Sequence, residues 1–369
     1  MMTDIKIILE DGVAYHGQSF GYQGSTAGEV VFNTAMAGYP ESLTDPSYKG
    51  QILVMTYPLV GNYGVPFDNC ENDMPKFFES DDIHISALVV TDYTADYSHW
   101  AASKSLNDWM VENRIPGVYG VDTRALTKHL REKGVMLGKV VYRGQDVPSY
   151  NPYNDNLAAM VSCKEKIVYG NGAHRILLVD CGVKYSLIRN LIANDATVIR
   201  VPWNYDFLGE EYDGLFIANG PGDPKKCDVT IRNIARAFER DQPVMGVCLG
   251  GQLMGLAAGA DTFKLKYGHR SHNQPVRQVG SDTAFITAQN HGFAINMDTL
   301  PDEWEPYYVN LNDGTNEGFR HKTKPFFSAQ FYHETSGGAA TDTEYMFGAF
   351  IEEVKKYKAG NHEHQKSKI

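Results

Sequence analysis

The residues best equipped for covalent chemistry in this 369-residue chain meet at one corner. Residues 243–252 read PVMGVCLGGQ, which places Cys248 between Gly246 and Gly250, two positions to either side. A short apolar stretch precedes it and the helix-like QLMGLAAGA follows. Gly-x-nucleophile-x-Gly between a strand and a helix is the pattern of a nucleophile elbow, a strained turn that holds the side chain at the mouth of a crevice. Free cysteine is also a common small core residue, and that reading suits Cys70, Cys163, Cys181 and Cys227 better. At Cys248 the glycines favour chemistry, because a tight corner and a close helix–strand approach both favour residues without a Cβ. A thiol attacks as the thiolate, which a helix N-terminus stabilises. The amide of Leu249 is then placed to stabilise an oxyanion.

A cysteine nucleophile needs a base, and the base needs an orienting group. Among twelve histidines, His291 in AQNHGFAI and His333 in SAQFYHETSGG each follow a predicted strand, and Glu334 stands beside His333. His269 and His272 in YGHRSHN read equally well as loop residues.

The elements that must position these groups fall into two textures. Residues 1–145 hold short β-like runs and turns with one helical stretch, DTRALTKHLREKG, where Asp122 or Thr123 serves as a cap and Gly134 as a stop. Residues 146–173, rich in Pro, Asn, Asp and Gly at their start, read as a linker. From 174 to 358 buried strands (RILLVDCG, ATVIRVP, YDGLFIANG, PVMGVC) alternate with amphipathic helices. In DVTIRNIARAFERDQ, Asp228 is the expected cap and Ile231, Ile234, Ala235 and Phe238 the apolar stripe. The last helix is expected to open with a capping box, Thr341 with Glu344, and to bury Phe347, Phe350, Ile351 and Val354. A polar tail occupies 359–369. The fold class expected is α/β: an N-terminal mixed β/α domain, then a doubly wound, mostly parallel α/β domain covered on both faces. Ligands of such sheets bind beyond the carboxyl ends of the strands, where Cys248 and the NGPGDP loop both fall.

Composition narrows the function classes. A net charge of −11 argues against nucleic acid or an anionic membrane surface as partner. No apolar run approaches the roughly 18 residues of a membrane helix. The N-terminus, MMTDIKIILEDG, has no uninterrupted apolar segment of a signal peptide. Five scattered cysteines without a CxxC pair read as reduced thiols in the cytoplasm, with no zinc signature. No phosphate loop of the Walker type is present.

Four segments, GVCLGGQ, ANGPGDP, ITAQNHGFAI and FSAQFYHETSGG, together resemble a triad-type (class I) glutamine amidotransferase domain. LEDGVAYHGQSFG, GEVVFNTAMAGYPESLTDPSYKGQILVMTYPLVGNYG and GVDTRALTKHLREKG resemble the N-terminal domain of the carbamoyl-phosphate synthase small chain. The resemblance runs from about Ile5 to Tyr357 with the motifs in matching order. It implies a glutaminase that forms a cysteine thioester and passes ammonia through an internal tunnel to a large synthetase chain, serving pyrimidine or arginine synthesis. ATP, bicarbonate and magnesium would belong to that partner and no cofactor or metal to this chain. Carried over motif by motif, Cys248 is the nucleophile, and Gly220 and Leu249 form the oxyanion hole. Ser47, Gly220, Gly222, Leu249, Gln252, Asn290, Gly292 and Phe293 match positions that hold glutamine.

One departure falls on the chemistry. The family pattern Gln-x-His-Pro-Glu, with histidine as base and glutamate as its orienting group, reads Gln330, Phe331, Tyr332, His333, Glu334 here. The expectation is a displaced base: His333 turned toward Cys248 by a local bend, with Glu334 behind it and Tyr332 only packing. The alternative is a regulatory or structural subunit with weak or no glutaminase activity, supporting a synthase fed by free ammonia.

Overall fold

The structure is a computed structural model that describes residues 5–67, 69–332, 343 and 345–366, the last six as backbone only. Two compact units emerge. Among the described residues, one is formed by residues 5–67 and 69–155 with 266–271, and the other by 156–265, 272–332, 343 and 345–366.

In the first unit seven strands close into a barrel. Their order is Ile5–Leu9, Met136–Tyr142, Thr26–Asn33, Gln51–Met55, Ala87–Val89, Pro116–Tyr119 and Ala14–Gly21. The parallel pairs lie side by side in one arc, with Val30 opposite Ile52 and Ile52 opposite Ala87, and antiparallel pairs complete the ring. Side chains alternate along each strand. Ile5, Ile7, Val30, Ile52, Val54 and Val140 therefore share one buried cluster, while Val31, Leu53 and Leu88 face another with Tyr39, Leu106 and Met110. The helix Thr123–Lys133 is capped by Asp122, whose Oδ1 accepts from the Ala125 amide at 2.9 Å, and it ends at Gly134. Its Leu126 and Leu130 join the first cluster.

The second unit is built on a ten-stranded sheet. Its centre is five parallel strands in the order Ala196–Pro202, His174–Asp180, Gly214–Ile217, Val244–Val247 and Phe326–Ala329. Each is short and buried along most of its length, as strands covered on both faces must be. On one face Leu177, Ile199, Leu215 and Ile217 pack with Ile234 and Leu253 from the helices Asp228–Ala237 and Leu249–Ala258. On the other, Phe216 stacks against Phe347 at 6.1 Å and meets Phe350 edge-on. Phe347, Phe350, Ile351 and Val354 of the helix Tyr345–Lys366 are all buried, and that helix runs on through most of the polar tail. The expected capping residues Thr341 and Glu344 lie outside the described residues.

Local structure departs from expectation in two places. The N-cap position of Asp228–Ala237 is Cys227; Asp228 is the first helical residue and pairs with Arg232 one turn on, at 2.8 Å. A carboxylate in the first turn favours the helix dipole as a cap would, so the composition looks the same either way. The segment read as a linker contains the helix Leu157–Val161 and the strand Ile167–Tyr169, which pairs antiparallel at the sheet edge with Ala196–Pro202.

Candidate active site

Four loops leave the carboxyl ends of the central parallel strands, and they carry the chemistry. After Val244–Val247 the chain turns at Cys248 with φ 52° and ψ −110°, a conformation few L-residues adopt. The Cys248 amide donates to the Ala329 carbonyl at 2.8 Å, and the helix Leu249–Ala258 starts at the next residue. Its first amides, Leu249 foremost, have no intrahelical acceptor and lie beside the thiol. The glycines are steric necessities. A Cβ on Gly250 would overlap the Ile217 carbonyl, and one on Gly246 would meet Gly250 at 2.6 Å. The elbow expected from PVMGVCLGGQ is present, with Cys248 at its strained corner.

The neighbouring strand Gly214–Ile217 leads into Ala218, Asn219 and Gly220. A Cβ on Gly220 would run into the Cys181 carbonyl and stand 2.9 Å from the Leu249 side chain, so this loop presses directly on the elbow. Gly222 has φ +93° and faces Leu157. After His174–Asp180 comes a loop pinned by buried Asp180. Its Oδ1 accepts from the Gly182 and Val183 amides, both at 2.8 Å, while Oδ2 binds Arg200 at 2.7 Å and the Cys163 amide at 2.7 Å. Asn219 ties the two loops together: its Oδ1 accepts from the Lys184 amide at 3.1 Å and its Nδ2 donates to the Gly182 carbonyl at 2.9 Å.

The fourth loop, after Phe326–Ala329, holds the departure. The Tyr332 amide donates to the Ala288 carbonyl at 2.9 Å, which fixes this residue beside the strand Ala284–Asn296. Its side chain is 2% exposed, and its hydroxyl lies 2.9 Å from the Cys248 Sγ and 3.3 Å from the Asn290 carbonyl. The thiol lies 3.8 Å from the same carbonyl. The Lys184 Nζ stands over the Tyr332 ring, 4.7 Å from its centroid, and Lys184 is 1% exposed. The displaced-base expectation required His333 rather than Tyr332 to face the thiol; the phenol faces it. The reason is register. With Gln330 hydrogen-bonded to the Glu317 carbonyl and Tyr332 to Ala288, the extended backbone sends residue 332 to the face that looks at Cys248. His333 and Glu334 lie outside the described residues.

The residues matched to glutamine binding gather mostly in this unit. Gln252 is buried, and its amide nitrogen donates to the Phe293 carbonyl at 2.8 Å and to the Gln330 Oε1 at 3.1 Å. Asn290, Gly292 and Phe293 follow one another along Ala284–Asn296. Ser47 belongs to the first unit, in the 3-10 turn Pro46–Tyr48, where its amide donates to Asp45 at 2.8 Å. His291 is turned to other work: Nδ1 meets the Phe293 carbonyl at 2.9 Å, and Nε2 meets Gln289 at 3.2 Å and Glu317 at 3.7 Å. The remaining thiols fit the packing reading unevenly. Burial pushes those of Cys163 and Cys227 up to about 12 and that of Cys181 well above its ordinary value, whereas Cys70 is exposed. Sequence reasoning missed Lys184, Asp180 and Asn219. The available signal was a lysine and an aspartate in the otherwise apolar VDCGVKYSL, since charged residues are seldom buried without a partner.

Among the described residues no helix is long and apolar enough to cross a membrane. Residues 7–140 match the family model for the carbamoyl-phosphate synthase small chain, CPSase domain, and residues 177–353 match that for glutamine amidotransferase class-I. The human mitochondrial carbamoyl-phosphate synthase (ammonia) is 49% identical over 96% of this chain and 24% of its own length. The multifunctional protein pyr-3 of Neurospora crassa is 47% identical, over 96% of this chain and 21% of that protein. For the multifunctional protein URA2 of Saccharomyces cerevisiae the figures are 46%, 96% and 18%. The chain thus spans about a quarter or less of the length of these relatives. It belongs to the carbamoyl-phosphate synthase small-chain family, a CPSase domain followed by a class-I glutamine amidotransferase domain.

Proposed function

We propose that this chain is the glutaminase part of a glutamine-dependent carbamoyl-phosphate synthase. The observation that carries the reading is Cys248 at positive φ on a strand–helix corner, with the Gly220 loop against Leu249, inside a domain of that family. Cys248 attacks the side-chain amide carbon of glutamine, and the Gly220 and Leu249 amides stabilise the oxyanion. Gly222, Gln252, Asn290, Gly292 and Phe293 hold the substrate. Ammonia leaves, a glutamyl thioester remains on Cys248, and water releases glutamate. The ammonia goes to a synthetase part, on a separate large chain or continuous with this one, which holds the ATP, bicarbonate and magnesium. The compartment we propose is the cytoplasm.

The test is release of glutamate and ammonia from glutamine by the chain alone and with a cognate synthetase part. Slow hydrolysis alone and faster hydrolysis with the partner are expected, with none from Cys248→Ser. Equal rates with and without the partner contradict the coupling, and a fully active Cys248→Ser removes the mechanism. A second reading rests on the phenol that stands at the family's imidazole position. In that reading the chain supports a synthetase fed by free ammonia, the substrate given in the human relative's name. It predicts an inert wild type and a gain of glutaminase on Tyr332→His.

A further inference from the structure

We propose that Tyr332 handles the protons of this site in place of an imidazole, with Lys184 as the positioning residue that stabilises its phenolate; this rests on the glutaminase reading above. Three contacts carry it. The Tyr332 hydroxyl lies 2.9 Å from the reacting sulfur, nearer than to the Asn290 carbonyl. That carbonyl, 3.3 Å from the hydroxyl and 3.8 Å from the sulfur, accepts from whichever of the two carries a proton not already given to the other. The Lys184 ammonium lies over the ring at 4.7 Å from its centroid, in a buried site where charges are weakly screened. A cation over a neutral ring is attracted by the ring's quadrupole; over a phenolate it meets a full opposite charge as well. The lysine therefore favours the deprotonated phenol at the moment the phenol gives up its proton.

The cycle balances with these groups. In the resting site the phenol donates its hydrogen bond to the Cys248 thiolate. The thiolate attacks the amide carbon, forming the C–S bond and the tetrahedral oxyanion. As the C–N bond breaks, the Tyr332 proton passes to the departing nitrogen, which leaves as ammonia. The site now holds a thioester and a phenolate beside Lys184. Water attacks the thioester carbon while the phenolate takes its proton. The C–S bond breaks, the thiolate returns, and the glutamic acid ionises to glutamate by releasing a proton to solvent. A phenol with an unperturbed value of about 10 makes a poor resting base at neutral pH. Here it acts first as an acid, and the base of the second half-reaction is the phenolate it has just become. Lys184 is aimed by its loop: Asn219 holds its amide, and Asp180 holds the two residues before it.

The experiment measures glutamine turnover by the full chain in wild type, Tyr332→Phe, Tyr332→His, Lys184→Met, the Tyr332→His/Lys184→Met pair and His333→Ala. Tyr332→Phe is expected to lower kcat about 10²- to 10⁴-fold, the usual range for a lost acid–base group, with KM changed little. Lys184→Met should cost at least about tenfold more in the wild-type background than in the Tyr332→His background, because its action runs through the phenolate. Circular dichroism of each variant separates misfolding from lost chemistry, and the cycle compares only folded proteins. Equal costs of Lys184→Met in both backgrounds overturn the lysine's role. Tyr332→Phe within threefold of wild type overturns the phenol's role, and a 10²-fold loss in His333→Ala would then give it to that histidine. An inert wild type with an active Tyr332→His overturns the proposal while leaving the glutaminase scaffold standing. If neither turns over, and a diazoketone analogue of glutamine fails to label Cys248, the glutaminase reading itself falls.

Discussion

The two sides of the site differ in what holds them. On the Cys248 side, position is a property of backbone: a positive φ at Cys248 and glycines that would collide with neighbouring carbonyls if they carried a Cβ. On the Tyr332 side, position comes from ladder hydrogen bonds at Gln330 and Tyr332, and a single side chain faces the thiol. A backbone-defined site tolerates almost no change at its glycines. A ladder-defined site can exchange its reactive side chain without moving a strand. With the backbone of Tyr332 held by the ladder, its side chain decides what this position can do with a proton.

That comparison can be broken or sharpened by substitution. The largest effect is expected at Gly250→Ala, whose methyl would overlap the Ile217 carbonyl. Strain of that kind should cost about 4 kcal/mol or more and be visible as a collapse of the denaturant midpoint. Gly251→Ala, whose Cβ would meet the Ser328 side chain at 3.1 Å, should cost no more than about 1 kcal/mol. Similar costs at both would show that the elbow is not defined by backbone contact. Next comes Asp180→Asn, on the loop that presents Lys184. It removes the charge facing Arg200 from a carboxylate with no exposed surface, and breaking such a pair costs about 3 kcal/mol. Thermal unfolding checks it; a change under about 0.5 kcal/mol would show that this loop is not pinned as described.

A further effect, smaller than those at Gly250 and Asp180, lies away from both regions. Burial first, and the Lys49 charge second, lower His84 to about 4, with Asp82 opposing. Between pH 6.5 and 4 the unfolded chain binds this proton and the folded one does not, so stability rises with pH across that window and is flat above it. The contribution is about 2 kcal/mol, less than the full shift implies because the residue is partly exposed. His84→Gln should flatten the slope relative to wild type in urea titrations at about pH 4.5 and 7, while leaving glutamine turnover alone. An unchanged slope would show that His84 takes its proton in the folded state.

Much of the Cys248 side was legible in the sequence because glycine spacing reports backbone geometry directly. Gly246, Cys248 and Gly250 named the corner, and the alternation of apolar strands and amphipathic helices placed it at a strand end. The Tyr332 side was only half legible. The missing histidine was plain, but which neighbour faces the thiol depends on strand register. That register is set by the pairings of Gln330 to Glu317 and of Tyr332 to Ala288, partners distant in the chain. What Lys184 touches was hidden for the same reason, since its meeting with Tyr332 joins loops far apart in the chain. Asp228 shows a smaller ambiguity: an acidic residue serves a helix start equally from the cap or from the first turn.

The most direct test is to quench the full chain with acid during glutamine turnover and map the peptides by mass. The account predicts a glutamyl adduct on the peptide that contains Cys248, absent from Cys248→Ser. Turnover of glutamine with no adduct on Cys248, or with the adduct on another residue, would contradict it.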